Sequence, residues 1–277
     1  MNDSFITAIN TQKTTMDWMN LIITNMSSIY LPGFKEYKGS FHTFLGGVSL
    51  DDLNRKMDQG KAQPGTSGEN IYLEGKGFFA AKRADGKILY TRRGEFTFDG
   101  EGVYKTPEGF PVQGYILNDN GEVMGTPAVQ KSDPHTANAS EGGPGMMATT
   151  DIKLWTDPSN GKYLGKYDEF EFKADGILYG KADKGKIVVP LYKVAVVNFP
   201  NSSAMIEAVD GYYIESKDSG KPVAGSGEVR SGLIEMSNAD LRANIYYLQQ
   251  AKLQLEMTNK LISTNKQLLE EAMRLLQ

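Results

Sequence analysis

The residues that could do chemistry are few and scattered. The chain has no cysteine, which removes disulfides, thiolate metal sites and cysteine nucleophiles together. Its two histidines, His42 and His135, are far apart, so no histidine-rich metal pattern forms in the sequence. A serine or threonine nucleophile would need one of these imidazoles as its base, and no G-x-S-x-G segment presents a serine. Both histidines read as packing or surface residues. Glu95 with Asp99, and Asp168-Glu169 with Glu171, have the spacing of acid/base pairs, but in alternating strand segments they read as a solvated face. Asn118-Asp119-Asn120-Gly121-Glu122 sets oxygen ligands beside a glycine without the rest of a calcium loop. Gly75 with Gly77, and Gly100 with Gly102, read as turns, since neither opens a helix as a phosphate loop does. Lys35, Lys38, Arg92 and Arg93 are the nearest thing to a basic cluster and read as surface solvation. A net charge of -4 gives no pull toward nucleic acid or anionic lipid. These observations predict a protein that is not an enzyme, with no cofactor, no metal and no nucleic-acid partner.

The elements are more informative than the candidate sites. Asn2 to about Tyr30 contains no Gly or Pro, and Phe5, Ile9, Met16, Met19, Ile23, Met26 and Tyr30 recur in steps of three and four, with Gln12 the polar member. That spacing predicts an amphipathic helix with a heptad-like seam, ended by Pro32-Gly33. From about Ser237 to Gln277 a second helix is expected, with N-cap candidates in Ser237-Asn238-Ala239-Asp240. Leu241, Leu248, Leu255, Ile262, Leu269 and Leu276 recur there every seventh residue. Asn244, Ala251, Thr258, Asn265 and Ala272, three later, are small or polar, so the seam suits several partner surfaces better than a simple zipper dimer. Leu261, Leu268 and Leu275 widen its apolar face. Roughly 40 helical residues would span about 60 Å, too long for a small domain to cover. No apolar run reaches the roughly 18 residues of a membrane span, so no direct membrane insertion is expected.

Between these helices, about residues 70 to 230 read as β structure. Short apolar runs such as Ile71-Tyr72-Leu73 and Ile88-Leu89-Tyr90 alternate with turn pairs at Asp85-Gly86, Asp99-Gly100, Asn120-Gly121, Asp175-Gly176 and Asp210-Gly211. Ser132 to Thr150 is the linker candidate. The expected fold is α+β: long N- and C-terminal helices packed as a coiled-coil-like pair, with a mostly antiparallel β-rich middle. The expected domains are a discontinuous helical core of residues 1–45 and 231–277, and a β-rich outer domain of 46–230 with an insertion at about 132–192.

Several motifs in one order resemble the bacterial flagellar rod and hook axial proteins. Leu31-Pro32-Gly33-Phe34-Lys35 is similar to the family's T-P-G-F-K segment, followed by Phe41 and Leu45, then Gln59-Gly60 and Gly75-Lys76-Gly77-Phe78-Phe79. Tyr90-Thr91-Arg92-Arg93-Gly94-Glu95-Phe96 matches Y-T-R-x-G-x-F, and Pro107 to Tyr115 resembles P-x-G-x-P-V-Q-G-Y. Gly232 to Asp240 is close to G-x-L-E-x-S-N-V-D. Two segments depart from the family pattern. Thr24-Asn25-Met26-Ser27-Ser28 stands where N-N-L-A-N is usual, and Gln250 to Asn259 only echoes Q-R-A-Y-E-x-N.

The resemblance implies a structural subunit of the basal-body rod, polymerising into a helical tube that carries torque from motor to hook and filament. Its terminal helices would form the inner layer and its β domain the outer wall. It implies as partners copies of the chain itself, other flagellar rod and hook proteins, and the flagellar type III export apparatus. It also implies a place in the envelope-spanning basal body, reached without a cleaved signal peptide, where composition alone suggests the cytosol. Phe5, Ile9, Met16, Met19, Ile23, Met26, Leu241, Leu248, Leu255, Ile262, Leu269 and Leu276 are the expected subunit-packing residues. A hook or hook-like protein is the alternative, and a ligand-binding β module with helical arms the second.

Overall fold

In the computed structural model, which describes residues 2–44, 47–118, 120–124, 148–154, 169–173, 175–182, 184 and 186–275, two long helices flank a β-rich middle. Leu45, Asp119, His135, Asp168 and Leu276, with much of the 132–192 stretch, lie outside the described residues. The chain forms two compact units. One is Met1–Tyr30, Lys35–Lys56 and Asn238–Gln277; the other is Leu31–Phe34 and Met57–Ser237.

In the first unit the Gly- and Pro-free run folds as α1, Asn2–Ser27. The second helix, α2, is Leu241–Leu275, 35 residues or about 52 Å. It begins where the seven-residue periodicity does, and of the N-cap candidates Asp240 is the cap: its carboxylate accepts the backbone N–H groups of Arg242 at 2.8 Å and Ala243 at 3.3 Å. The helices run antiparallel. Gln12 Nε2 donates to Asn259 Oδ1 at 2.8 Å, and Asn25 Nδ2 reaches Asn244 Oδ1 at 3.4 Å. Strands β1, Tyr37–Phe44, and β2, Gly47–Arg55, form an antiparallel hairpin that packs on α1. The Arg55 guanidinium stands 4.7 Å over the Tyr37 ring and Nη2 donates to the Tyr37 hydroxyl at 2.9 Å. Because of this hairpin the helical unit extends to Lys56, past the boundary expected at 45. On the other flank it begins at Asn238, later than 231, since the strand Leu233–Glu235 pairs with Ala62–Pro64 in the β unit.

The second unit is antiparallel throughout its named strand pairs. One six-stranded sheet runs in the order Ile206–Val209, Tyr212–Ile214, Ile88–Thr91, Phe78–Lys82, Val196–Asn198, Val223–Ala224. A second runs Val123–Met124, Gln113–Leu117, Ile187–Val194, Ile177–Ala182, Glu169–Phe172, with Thr150–Asp151 also on Gln113–Leu117. Asp85-Gly86, Asn120-Gly121, Asp175-Gly176 and Asp210-Gly211 take turn conformations with the glycine at positive φ.

Phe78–Lys82 is buried on both faces, which explains its unbroken apolar character. Phe79 enters a core with Phe96, Tyr104, Ile152, Phe172 and Leu178, while Phe78 and Ala80 enter another with Tyr90, Phe199 and Tyr213. Aromatic rings hold the first core: Phe96 packs edge-on against Phe79 and Tyr104, each at 5.5 Å between ring centres. Burying each such side chain contributes about 1.5–3 kcal/mol. Ile152, Phe172, Leu178 and Leu191 share this core with Ile71 and Phe79. The described strands of the supposed insertion are therefore part of one hydrophobic cluster.

Candidate functional site

The buried rows of the two helices are mostly small or polar. Ala8 and Thr15 of α1 are buried at seven-residue spacing with the larger Ile22, as are Asn244, Ala251 and Thr258 of α2. Small side chains let the helices approach closely, and the threonines bring no orphaned hydroxyl. Thr15 and Thr258 donate to the carbonyls of Thr11 and Gln254, four residues back, at 2.7 and 2.8 Å. The expected seam on α1 is thus corrected. The buried row lies one residue, about 100°, round the helix from Ile9, Met16 and Ile23, and only about 40–60° from Phe5, Met19 and Met26.

Ile9, Met16 and Ile23 are consequently exposed, Ile23 by 50%, while Phe5, Met19 and Met26 are half-buried. On α2 Leu248, Leu255 and Ile262 flank the seam half-buried, and Leu241 and Leu269 are exposed. Leu261, Leu268 and Leu275 do not widen the covered face. Together with Leu253, 61% exposed, and Met257, 67%, they form a second apolar row. Leu253 stands about 200° round the helix from the buried Ala251. A helix apolar on both faces is normally buried on both.

A polar cluster fixes where these helices start and stop. Asn25 uses both ends of its amide on one residue: Nδ2 donates to the Tyr37 carbonyl and Oδ1 accepts the Tyr37 N–H, each at 2.9 Å. Asn244 Nδ2 donates to Glu36 Oε1 and to the Asp240 carbonyl, both at 2.8 Å. Asn238 accepts the Glu36 N–H at 2.7 Å and donates to the Lys56 carbonyl at 2.6 Å. Asn25, Glu36 and Asn244 are buried and mutually satisfied, so the cluster specifies one arrangement of chain ends. Sequence reading missed it; Asn25 lies in the segment that departs from the family pattern, and its polarity amid an apolar run was the available signal.

In the β unit the scattered motifs converge on Arg92 and Glu235. Glu235 accepts the Gly60 N–H at 2.8 Å and the Arg92 guanidinium at 3.3 Å, while its carbonyl accepts the Gly33 N–H at 2.8 Å. Arg92 also donates to the carbonyls of Leu73, at 2.9 Å, and Gly75. Gln59 bridges the same segments, donating to the Leu73 carbonyl at 3.0 Å and accepting the Gly75 N–H at 3.1 Å. Two glycines are required by close approach. A Cβ on Gly60 would stand 1.8 Å from the Met236 carbonyl oxygen, and one on Gly94 1.6 Å from that of Ile71. Burial pulls the Arg92 pKa below the ordinary arginine value while Glu235 opposes it. Burial also works against the charge on Arg93, but the neighbouring Tyr212, Glu108 and Glu95 outweigh it and the pKa rises. Lys35, Arg92 and Arg93 are buried, which corrects the reading of that cluster as solvated surface; Lys38 is exposed.

The acidic candidates are tied to cations. Glu95 pairs with Arg93 at 3.1 Å, Asp99 with Lys105, and Glu171 with Lys181 at 2.8 Å. Asn118 closes its own turn, accepting the N–H of Glu122 at 2.8 Å. Among the described residues no group of His, Asp and Glu is arranged to hold a metal ion, and no helix is long and apolar enough to cross a membrane.

What the geometry offers is a helix pair with an exposed second apolar row on α2, and a separate β-rich unit. The family described as Flagellar hook protein FlgE/F/G D1 domain matches residues 72–132. The chain is 22% identical over 287 residues to the flagellar basal-body rod protein FlgG of Buchnera aphidicola subsp. Schizaphis graminum, covering 93% of each. It is 24% identical to FlgG of Bacillus subtilis, covering 98% of each. It is 29% identical over 194 residues to the flagellar hook protein FlgE of Borreliella burgdorferi, covering 64% of this chain and 43% of that one. A crystal structure of the Helicobacter pylori hook protein FlgE2 aligns with a TM-score of 0.40 at 11% identity, over 63% of this chain and 100% of that one. Residues 72–132 match the D1 domain of the flagellar hook and rod proteins, and along its length the chain is similar to flagellar rod proteins.

Proposed function

We propose that the chain is a subunit of the basal-body rod, polymerising into a helical tube that transmits torque from motor to hook and filament. The observation that carries this reading is the helix pair joined through small side chains, with Ile9, Met16, Ile23, Leu253, Met257, Leu261 and Leu268 left exposed. Such rows cost solubility in a lone chain and are covered when like helices pack side by side. The twelve positions from Phe5 to Leu276 named from the sequence then act as the packing set, with the helical unit as the inner layer and the β unit as the outer wall. Rod is favoured over hook by coverage, since FlgG proteins are matched along 90% or more of their length and the Borreliella burgdorferi hook protein along 43%. The partners are copies of the chain and other flagellar rod and hook proteins. Delivery is by the flagellar type III apparatus without a cleaved signal, to an envelope-spanning position. The role is mechanical, with no reaction catalysed.

The test is deletion of residues 241–275 in the source cell. Loss of swimming, with a β unit that stays soluble and unpolymerised, is expected. Normal swimming overturns the subunit reading. Immunolabelling of isolated hook–basal bodies separates the positions: label confined to the rod supports the proposal, and label along the hook assigns the chain there instead.

A further inference from the structure

With no cysteine in the chain, the thioethers of its 12 methionines are the sulfur that an oxidant meets. Among the described residues Met205 is buried in the core of Phe78, Tyr90 and Tyr213, and Met19, Met26, Met57 and Met236 are half-buried. Met16, Met124, Met257 and Met273 are exposed. Two of these stand at the centre of an exposed apolar row. Met16 is seven residues from both Ile9 and Ile23, so the three project on one side of α1. Met257, 67% exposed, is four residues from both Leu253 and Leu261 on the outer row of α2. In each row the sulfur has an aliphatic side chain on either side. Met124 belongs to a short strand of the β unit, and Met273 lies about 160° round α2 from Met257.

We propose that Met16 and Met257 are oxidation sites at which a peroxide switches off subunit packing. The proposal rests on the subunit reading and adds a control to it. The thioether sulfur attacks one peroxide oxygen, the O–O bond breaks, an S–O bond forms and the second oxygen leaves as water. Sulfur gives up two electrons and the peroxide takes them. The product is a polar sulfoxide whose oxygen accepts hydrogen bonds. Packed into an aliphatic row it meets no donor, because the side chains of Ile9, Ile23, Leu253 and Leu261 carry none and the helical backbone N–H groups around it are already bonded. Leucine at either position would fill the row without responding to oxidant; methionine makes the polarity of the row conditional. Thiol-dependent reduction of the sulfoxide restores the apolar side chain, so the change is reversible. Once neighbouring helices cover the rows the same sulfurs are shielded, and the free chain is the form that responds.

The full-length chain is treated with dilute hydrogen peroxide, mapped by peptide mass spectrometry and assayed by sedimentation. Sulfoxide at Met16 and Met257 is expected, with Met205 unmodified and the far-ultraviolet circular dichroism unchanged. The critical concentration for assembly should rise roughly tenfold and return after treatment with a methionine sulfoxide reductase. Met16→Leu with Met257→Leu, both good helix formers at exposed positions, should assemble as the parent does and keep assembling after peroxide. Met124→Leu with Met273→Leu should stay as sensitive as the parent. Peroxide added after assembly should oxidise Met16 and Met257 more slowly than in the free chain. Undiminished assembly of a chain carrying both sulfoxides overturns this inference and leaves the subunit reading standing. Equal peroxide sensitivity of the Met16→Leu/Met257→Leu chain and the parent does the same. Failure of the untreated chain to assemble at all overturns both.

Discussion

Arg92 and Glu235 are 143 residues apart in the chain and meet at 3.3 Å, with side chains 5% and 0% exposed. A guanidinium buried to this degree stays charged at any biological pH, so its carboxylate partner must be present whenever the β unit is folded. Glu235→Ala would leave Arg92 uncompensated and also strip the Gly60 N–H of its acceptor. The expected loss is about 3–5 kcal/mol, read as a lower urea midpoint with an unchanged slope. Replacing both partners, Arg92→Met with Glu235→Leu, should cost less than Glu235→Ala alone. A larger cost for the double variant would contradict the view that an unpaired buried charge is the main penalty.

The two faces of α2 should respond in opposite ways. Ala251→Leu forces a larger side chain into the close approach of α1 and α2, and should destabilise the helical unit by about 1–3 kcal/mol. Leu253→Glu, two positions on and 61% exposed, should leave the monomer within about 0.5 kcal/mol of the parent while abolishing assembly. Thermal melting by circular dichroism and sedimentation of the assembled form separate the two effects. Unimpaired assembly of Leu253→Glu would show that this row faces no neighbour.

Gly60→Ala and Gly94→Ala should each prevent the β unit from folding to its native packing, because the added methyl meets a backbone carbonyl that has no room to move. Gly68→Ala is the matched control, as nothing lies within 4 Å of the place its added methyl would take. Dispersed amide resonances in the first two variants equal to those of the control would refute the close-approach argument.

Alkali should unfold the β unit through its tyrosines. Burial raises the pKa of Tyr90, Tyr104 and Tyr212, with Glu215 and Tyr115 adding at Tyr90, Glu69 at Tyr104 and the hydrogen bond to Glu108 at Tyr212. The folded state therefore favours the neutral phenol. Its stabilisation is complete below the unfolded value of about 10 and is lost as pH rises above it. Phenolate absorbance from these three rings should appear together with loss of near-ultraviolet circular dichroism. Reversible ionisation of all tyrosines with the dichroism intact would exclude their burial.

The helices and most hairpin turns are legible in the sequence because periodicity and Asp-Gly or Asn-Gly pairs act locally. On α2 the small positions Asn244, Ala251 and Thr258 stand out in the heptad, but the α1 side of the seam does not, because sequence reading weights large apolar residues. Ala8 and Thr15 bury instead by being small and, for Thr15, by bonding its own helix. The β1–β2 hairpin escapes for a related reason: Leu50-Asp51-Asp52-Leu53-Asn54 breaks the alternation expected of a strand. Arg92 and Glu235 belong to motifs that stand out in the sequence, yet nothing within either motif reports a partner so far along the chain. Asn25, Glu36 and Asn244 look like ordinary polar residues until the fold brings them together.

The hub around Arg92 recognises main chain, not side chains. Its guanidinium reads the carbonyl oxygens of Leu73 and Gly75, Glu235 reads the N–H of Gly60, and Gly60 and Gly94 matter for the atoms they lack. A junction written in peptide groups places little demand on the identity of the residues that supply them. Most of the residues around such a junction can change identity without unmaking it, so long as the peptide groups it reads stay in place.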